Sequence, residues 1–156
     1  MSSLNKTEKI AFLKLSPLFQ DLSKRQLGFI AQKSYQETVK AGRTIIKQGT
    51  IGKQFFVIAD GVVRVEKDKK FIRSMSQGAY FGEISLFDGR PMSATVVAET
   101  EVHLLCVNKT SFQKLMDSVP GLKDKLILSL CKYIRSSDEI MDKLRNTIEQ
   151  HLGQSS

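Results

Sequence analysis

Residues 78–96 read GAYFGEISLFDGRPMSATV. Gly78 and Gly82 mark turns, and the run Glu83, Ile84, Ser85, Leu86 behind them predicts a short helical turn. A helix start presents backbone N–H groups without an intrahelical partner and the positive end of the helix dipole, a natural seat for phosphate. Glycine at position 82 lets a ligand approach the backbone closely. A carboxylate inside an anion site needs a different partner, and Glu83 can accept a hydrogen bond from a sugar hydroxyl. Asp88-Gly89-Arg90-Pro91 then turns the chain into a strand that begins near Ala94.

Upstream, glycines recur at 42, 49, 52 and 61, with β-branched and aromatic runs between them: Thr44 to Ile46, Phe55 to Ile58 and Val62 to Val65. Runs of this kind bounded by turn residues read as short strands. Lys67 to Lys70 forms a polar hairpin tip before Phe71 and Ile72, and Ala94 to Ala98 and Val102 to Val107 complete the set. Helical patterns flank the strands. Ile10 and Leu13 share one face of a first helix, with Leu4 a candidate for the same face. Pro17 stops it, and Ser23 with Gln26 forms a capping box for a second. Asn108 or Thr110 can cap a short helix carrying Phe112, Leu115 and Met116, which Pro120 and Gly121 break. The expected fold is α+β, a β jelly-roll or double-stranded β-helix sandwich flanked by N-terminal helices and a long C-terminal helix. One domain over 1–156 is expected, with helices in 1–34, the β-roll in 35–107 and helices again in 108–152.

The segment 78–96 resembles the phosphate-binding cassette of cyclic-nucleotide-binding domains, which reads F-G-E-x-A/S-L, a few turn residues, then P-R-x-A-T-V. Phe81 to Leu86 and Pro91 to Val96 supply the two halves. The ordered glycines and the entry segment Leu13 to Phe19 match as well, so that the resemblance spans residues 10–148. It implies a non-enzymatic regulatory module whose ligand is cAMP or a related cyclic nucleotide. Glu83 would bind the ribose 2′-hydroxyl, with Gly82 beside it letting the ligand approach the backbone. The backbone amides of Ile84 and Ser85 would meet the cyclic phosphate, helped by the Ser93 hydroxyl. The C-terminal helix resembles that of the bacterial catabolite activator branch, in which a Thr-Ser pair contacts adenine across a dimer. Ser136 and Ser137 fall at the matching place, and Ser137 reads equally well as a small residue of the helix seam.

One position departs from the pattern. The arginine that pairs with phosphate in the family is Met92 here, and a thioether offers neither charge nor a bidentate fork. Losing one partner of a buried charge pair costs about 2–5 kcal/mol, very roughly a 30-fold to several thousand-fold loss of affinity. Three readings follow. The site binds a cyclic nucleotide through helix amides, Glu83 and Ser93, with Arg90 either swinging in or remaining an exposed turn charge. The pocket takes a neutral ligand such as a nucleoside. Or the domain is a degenerate, ligand-free protein-interaction scaffold.

The rest of the composition bounds partners. The chain of 156 residues carries a net charge of +8, and residues 1–75 hold 15 Lys/Arg against 6 Asp/Glu. A basic surface of this kind favours acidic partners, including an acidic protein, or serves as a solvated face. A helix-turn-helix after the long helix does not fit within the chain, so no specific DNA binding is expected. No apolar leader or transmembrane run is visible, which points to a cytoplasmic protein without a membrane partner. Cys106 and Cys131 each sit in apolar runs and are expected to be small buried hydrophobes. His103 and His151 have no ligand-spaced neighbours, so no metal is expected. Leu126, Leu130, Tyr133, Ser137, Ile140, Leu144, Ile148 and His151 recur at steps of three and four. That is a coiled-coil-like seam, suited to packing on the sandwich or to a homodimer.

Overall fold

The computed structural model describes residues 3–154. In chain order they form α1 (Lys6–Leu13), α2 (Lys24–Lys33), β1 (Tyr35–Val39), β2 (Thr44–Ile46), β3 (Gln54–Asp60), β4 (Val63–Lys67), β5 (Lys70–Met75) and β6 (Tyr80–Phe81). After these come α3 (Glu83–Asp88), β7 (Thr95–Ala98), β8 (Val102–Asn108), α4 (Lys109–Ser118) and α5 (Leu122–Gln154). Two compact units divide after Val119.

Cap chemistry sets the helix ends in the first unit. Asn5 and Ser23 each close a capping box, with Glu8 and Gln26, which satisfies amides that the first turn leaves unpaired. Asn108 caps α4 by accepting from the Ser111 amide at 2.8 Å. The strands form two four-stranded sheets in the orders β1-β8-β3-β6 and β2-β7-β4-β5. Every pairing is antiparallel. Except for the β4–β5 hairpin, neighbours in each sheet come from distant parts of the chain, the jelly-roll arrangement.

The inner faces meet in one core. Val102, Leu104 and Cys106 of β8 join Phe56 and Ile58 of β3, Val63 and Val65 of β4, and Val96 and Ala98 of β7. Alternation along β3 turns Phe55 to the other side, where its ring lies 5.1 Å from Phe112 of α4 and 6.4 Å from Phe19. β8 is buried on both faces from Val102 to Val107, because the second sheet covers one side and α4 packs against the strand as well.

Two strands escape a reading of apolar runs. Among the residues of β1, an edge strand, only Val39 is buried, and an edge strand carries polar residues where it meets water. β6 is two residues long. The cysteines part company: Cys106 is buried as expected, but Cys131 is exposed. The apolar run around Cys131 belongs to an amphipathic helix, and its position on that helix faces solvent.

The second unit is the 33-residue helix α5. Tyr133, Ile140, Leu144 and Ile148 are each more than half exposed on it. No helix of the described residues is long and apolar enough to cross a membrane.

Leu104 is fully buried between the sheets. Leu104→Ala is therefore expected to cost about 2–5 kcal/mol, the transfer of the side chain plus the cavity left behind. Urea unfolding of the two proteins measures this, and a loss below 1 kcal/mol, roughly, would contradict the core assignment.

Candidate functional site

The site is built around α3. Gly82 is its N-cap, at φ +94°. A Cβ at Gly82 would lie 2.7 Å from the Gln54 carbonyl oxygen, so both the dihedral and the close approach require glycine. Glu83 opens the helix, and Gly89 ends it with a left-handed residue whose amide donates to the Ser85 carbonyl at 2.9 Å.

Ser85 ties the segment together. Its buried hydroxyl accepts from the Gly52 amide at 2.9 Å and donates to the Arg90 carbonyl at 2.7 Å. The helix, the turn after β2 and the turn before β7 are thereby joined at one oxygen. Ser85 was expected to act through its backbone amide, and its hydroxyl has this further, structural task. The Met92 backbone adds two bonds to the same turn, donating to the Thr50 carbonyl at 2.7 Å and accepting from the Gly49 amide at 2.8 Å. Packing is close here: a Cβ on Gly52 would lie 2.5 Å from the Met92 methyl carbon and 2.8 Å from Ser85 Oγ.

These elements enclose a cavity of about 270 Å³. Seven of the residues singled out from the sequence line it: Gly82, Glu83, Ile84, Ser85, Arg90, Met92 and Ser93. Val65, Phe81 and Val96 supply apolar wall. Ser93 and Arg90 are exposed and line it nonetheless. Ser136 and Ser137 belong to α5, in the second unit, where the Ser137 hydroxyl donates to the Tyr133 carbonyl at 3.0 Å.

Charge in the cavity is unusual for an anion site. Glu83 Oε2 is buried and accepts no hydrogen bond. Burial pushes the Glu83 carboxyl above the usual glutamate range, against the opposing pull of its own backbone amide and of Arg73. Arg73 also lines the cavity, from β5, and was missed in the sequence. No local signal marked it: β5 is a largely exposed strand, and only its pairing with β4 brings this side chain to Glu83. His103 is buried on β8, with Nδ1 3.0 Å from Thr38 Oγ1 and Nε2 3.3 Å from a Glu101 carboxylate oxygen. Among the described residues no group of three or more His, Cys, Asp or Glu is placed to hold a metal ion.

Residues 36–119, more than half of the chain, match the cyclic nucleotide-binding domain family, and the chain belongs to that family. It is 32% identical over 138 residues to the cAMP-dependent protein kinase regulatory subunit of Colletotrichum orbiculare, covering 86% of this chain and 34% of that one. It is 35% identical over 124 residues to the cGMP-dependent protein kinase, isozyme 1, of Drosophila melanogaster, covering 74% and 16%. Among solved structures, the Thermus thermophilus catabolite activator protein superposes with a TM-score of 0.77 at 26% identity, covering 83% of this chain and 63% of that one. The chain spans about a third or less of the curated relatives it matches.

The raised carboxyl of Glu83 has a consequence for stability. Its folded pKa lies above the ordinary value of 4.5, so the folded state binds more protons than the unfolded one just above that pH. The favourable contribution of the neutral carboxyl is present at low pH and is lost as pH rises through the folded pKa. Glu83→Gln, which stays neutral, should gain in melting temperature relative to the parent as pH rises above 4.5. A difference between the two proteins that does not change with pH would contradict the burial of this charge.

Proposed function

We propose that the chain is a regulatory module that binds a cyclic nucleotide in the cavity beside α3 and acts on a partner through its helices, without catalysis of its own. Residues 1–156 serve in this reading as one module, with 78–96 as its cassette. The observation that carries it is the buried Glu83 oxygen without a hydrogen-bond partner, on a residue that lines the cavity at the start of α3. An orphaned buried acceptor is costly unless a ligand donates to it, and a ribose 2′-hydroxyl is such a donor. The amides of Ile84 and Ser85 and the Ser93 hydroxyl would receive the cyclic phosphate. Names of relatives in the family include both cAMP- and cGMP-dependent kinases, and both nucleotides are candidates. A cytoplasmic location suits a ligand of this kind.

Signalling has a physical route. Phe87 of α3 meets Phe112 of α4 edge-on at 5.4 Å. A ligand that repositions α3 would move α4 through this contact, provided that it binds the two arrangements with different affinity. The exposed Tyr133, Ile140, Leu144 and Ile148 of α5 suit a homodimer through paired helices, and the basic first half suits an acidic protein partner.

Met92 supports a second reading. With a thioether at the arginine position and a carboxylate in the cavity, the site also suits a nucleoside without phosphate, or a ligand-free scaffold.

Calorimetric titration with cyclic AMP, cyclic GMP and adenosine separates these readings. Heat with a cyclic nucleotide is expected, and Met92→Arg should then tighten binding by about 30-fold or more. Adenosine binding alone would establish the nucleoside pocket, and no heat from a folded sample would leave the scaffold. Separately, Leu130→Glu with Leu144→Glu should convert a dimer to monomer in sedimentation; a dimer that persists would place its interface elsewhere.

A further inference from the structure

We propose that the open edge of β5 is a docking strand for an extended acidic segment of another protein, which adds to the sheet β2-β7-β4-β5 as a fifth strand. The inference rests on the acidic partner proposed above, to which it gives a place, and is independent of what the cassette binds. Among the described residues four strands end a sheet: β1, β6, β2 and β5. β6 has two residues, β2 three and β1 five. β5, with six, is the longest, and all of its residues but Met75 are exposed.

An edge strand presents backbone N–H and C=O groups on the side away from its neighbour, and an extended peptide can pair with them. The neighbour here is β4. Side chains decide which peptide fits. Phe71 and Ile72 are 56% and 45% exposed in mid-strand, and the Arg64 guanidinium lies 5.3 Å from the Phe71 ring centre. Residues 63–75 hold five Lys/Arg against two Asp/Glu. Both acids are engaged locally: Glu66 pairs with Arg64 at 3.4 Å, and Asp68 accepts from Gln48 Nε2 at 2.9 Å. Lys67, Lys69 and Lys70 are exposed and belong to no ion pair among the described residues. Like charges opposed across a ladder are destabilising, so this strand repels a second copy of itself, a recognised use of lysine on an edge. The same charges attract a strand that carries carboxylates. Solubility and avoidance of self-pairing account for the lysines. They do not account for two adjacent large apolar side chains left in water on the same edge. A segment that is rich in carboxylates and also carries apolar residues meets both.

The test is amide NMR and hydrogen exchange of the full chain titrated with a short peptide of alternating glutamate and valine. Saturable shifts are expected within the β4–β5 hairpin, residues 63–75, with slowed exchange of β5 amides. A peptide of alternating glutamate and proline has the same charge but lacks the N–H groups of every second residue, and is expected to bind about tenfold more weakly or worse. Lys67→Glu with Lys70→Glu should weaken the glutamate–valine peptide by about tenfold or more. Shifts centred outside residues 63–75 would keep an acidic partner and overturn its placement on β5, whereas absence of saturation would overturn both. Equal affinity for the two glutamate peptides, or for single-stranded DNA of the same charge, would replace strand addition with plain attraction of anions and overturn the proposal. None of these outcomes bears on whether a cyclic nucleotide binds at the cassette.

Discussion

The Ser85 hydroxyl, buried between the Gly52 amide and the Arg90 carbonyl, fixes the shape on which the cassette depends. One oxygen acts as acceptor and donor at once, and it ties α3 to the two segments that the Ile51–Pro91 bridge pairs. Without it, the Gly52 amide and the Arg90 carbonyl would lose a shared partner in a crowded place, at a net cost of about 1–3 kcal/mol for a buried group left unmet. Gly52 is part of the same constraint, because a side chain there would strike both Ser85 and Met92. The start of α3, the direction of the turn from Asp88 to Pro91 and the position of Met92 all follow from this junction.

The electrostatics of the cavity follow from what that junction excludes. Met92 packs toward Gly52 and the core rather than offering a charge. The positive groups that line the cavity are Arg73 from β5 and Arg90 from the turn, both on exposed parts of the chain. Glu83 is the buried charge, and desolvation works against its ionised form.

The aromatic contacts connect this cavity to the helices. Phe87 touches Phe112, and Phe112 lies against Phe55 of β3. The helix that shapes the cavity and the helix that follows the sandwich thus share a packed surface. Close-packed side chains transmit displacements because they have no free volume in which to absorb them.

Much of this was legible in the residues themselves. The strands around Thr44, Phe56, Val63, Val96 and Leu104, the capping box at Ser23, the Asn108 cap and the helical turn after Gly82 are governed by neighbouring backbone chemistry. A chain carries that chemistry locally, and the family resemblance rested on the same local signals. The sequence also showed that Met92 stands where an arginine is usual. Only the tertiary structure decided that the Ser85 hydroxyl is a tie rather than a free ligand group, that Arg73 reaches the cavity, and that Cys131 faces solvent. It alone set β1 beside β8, a pairing across about seventy residues that registers Tyr35 against Cys106. Each of these depends on which distant strands lie side by side, and a local reading of composition and spacing carries no information about that.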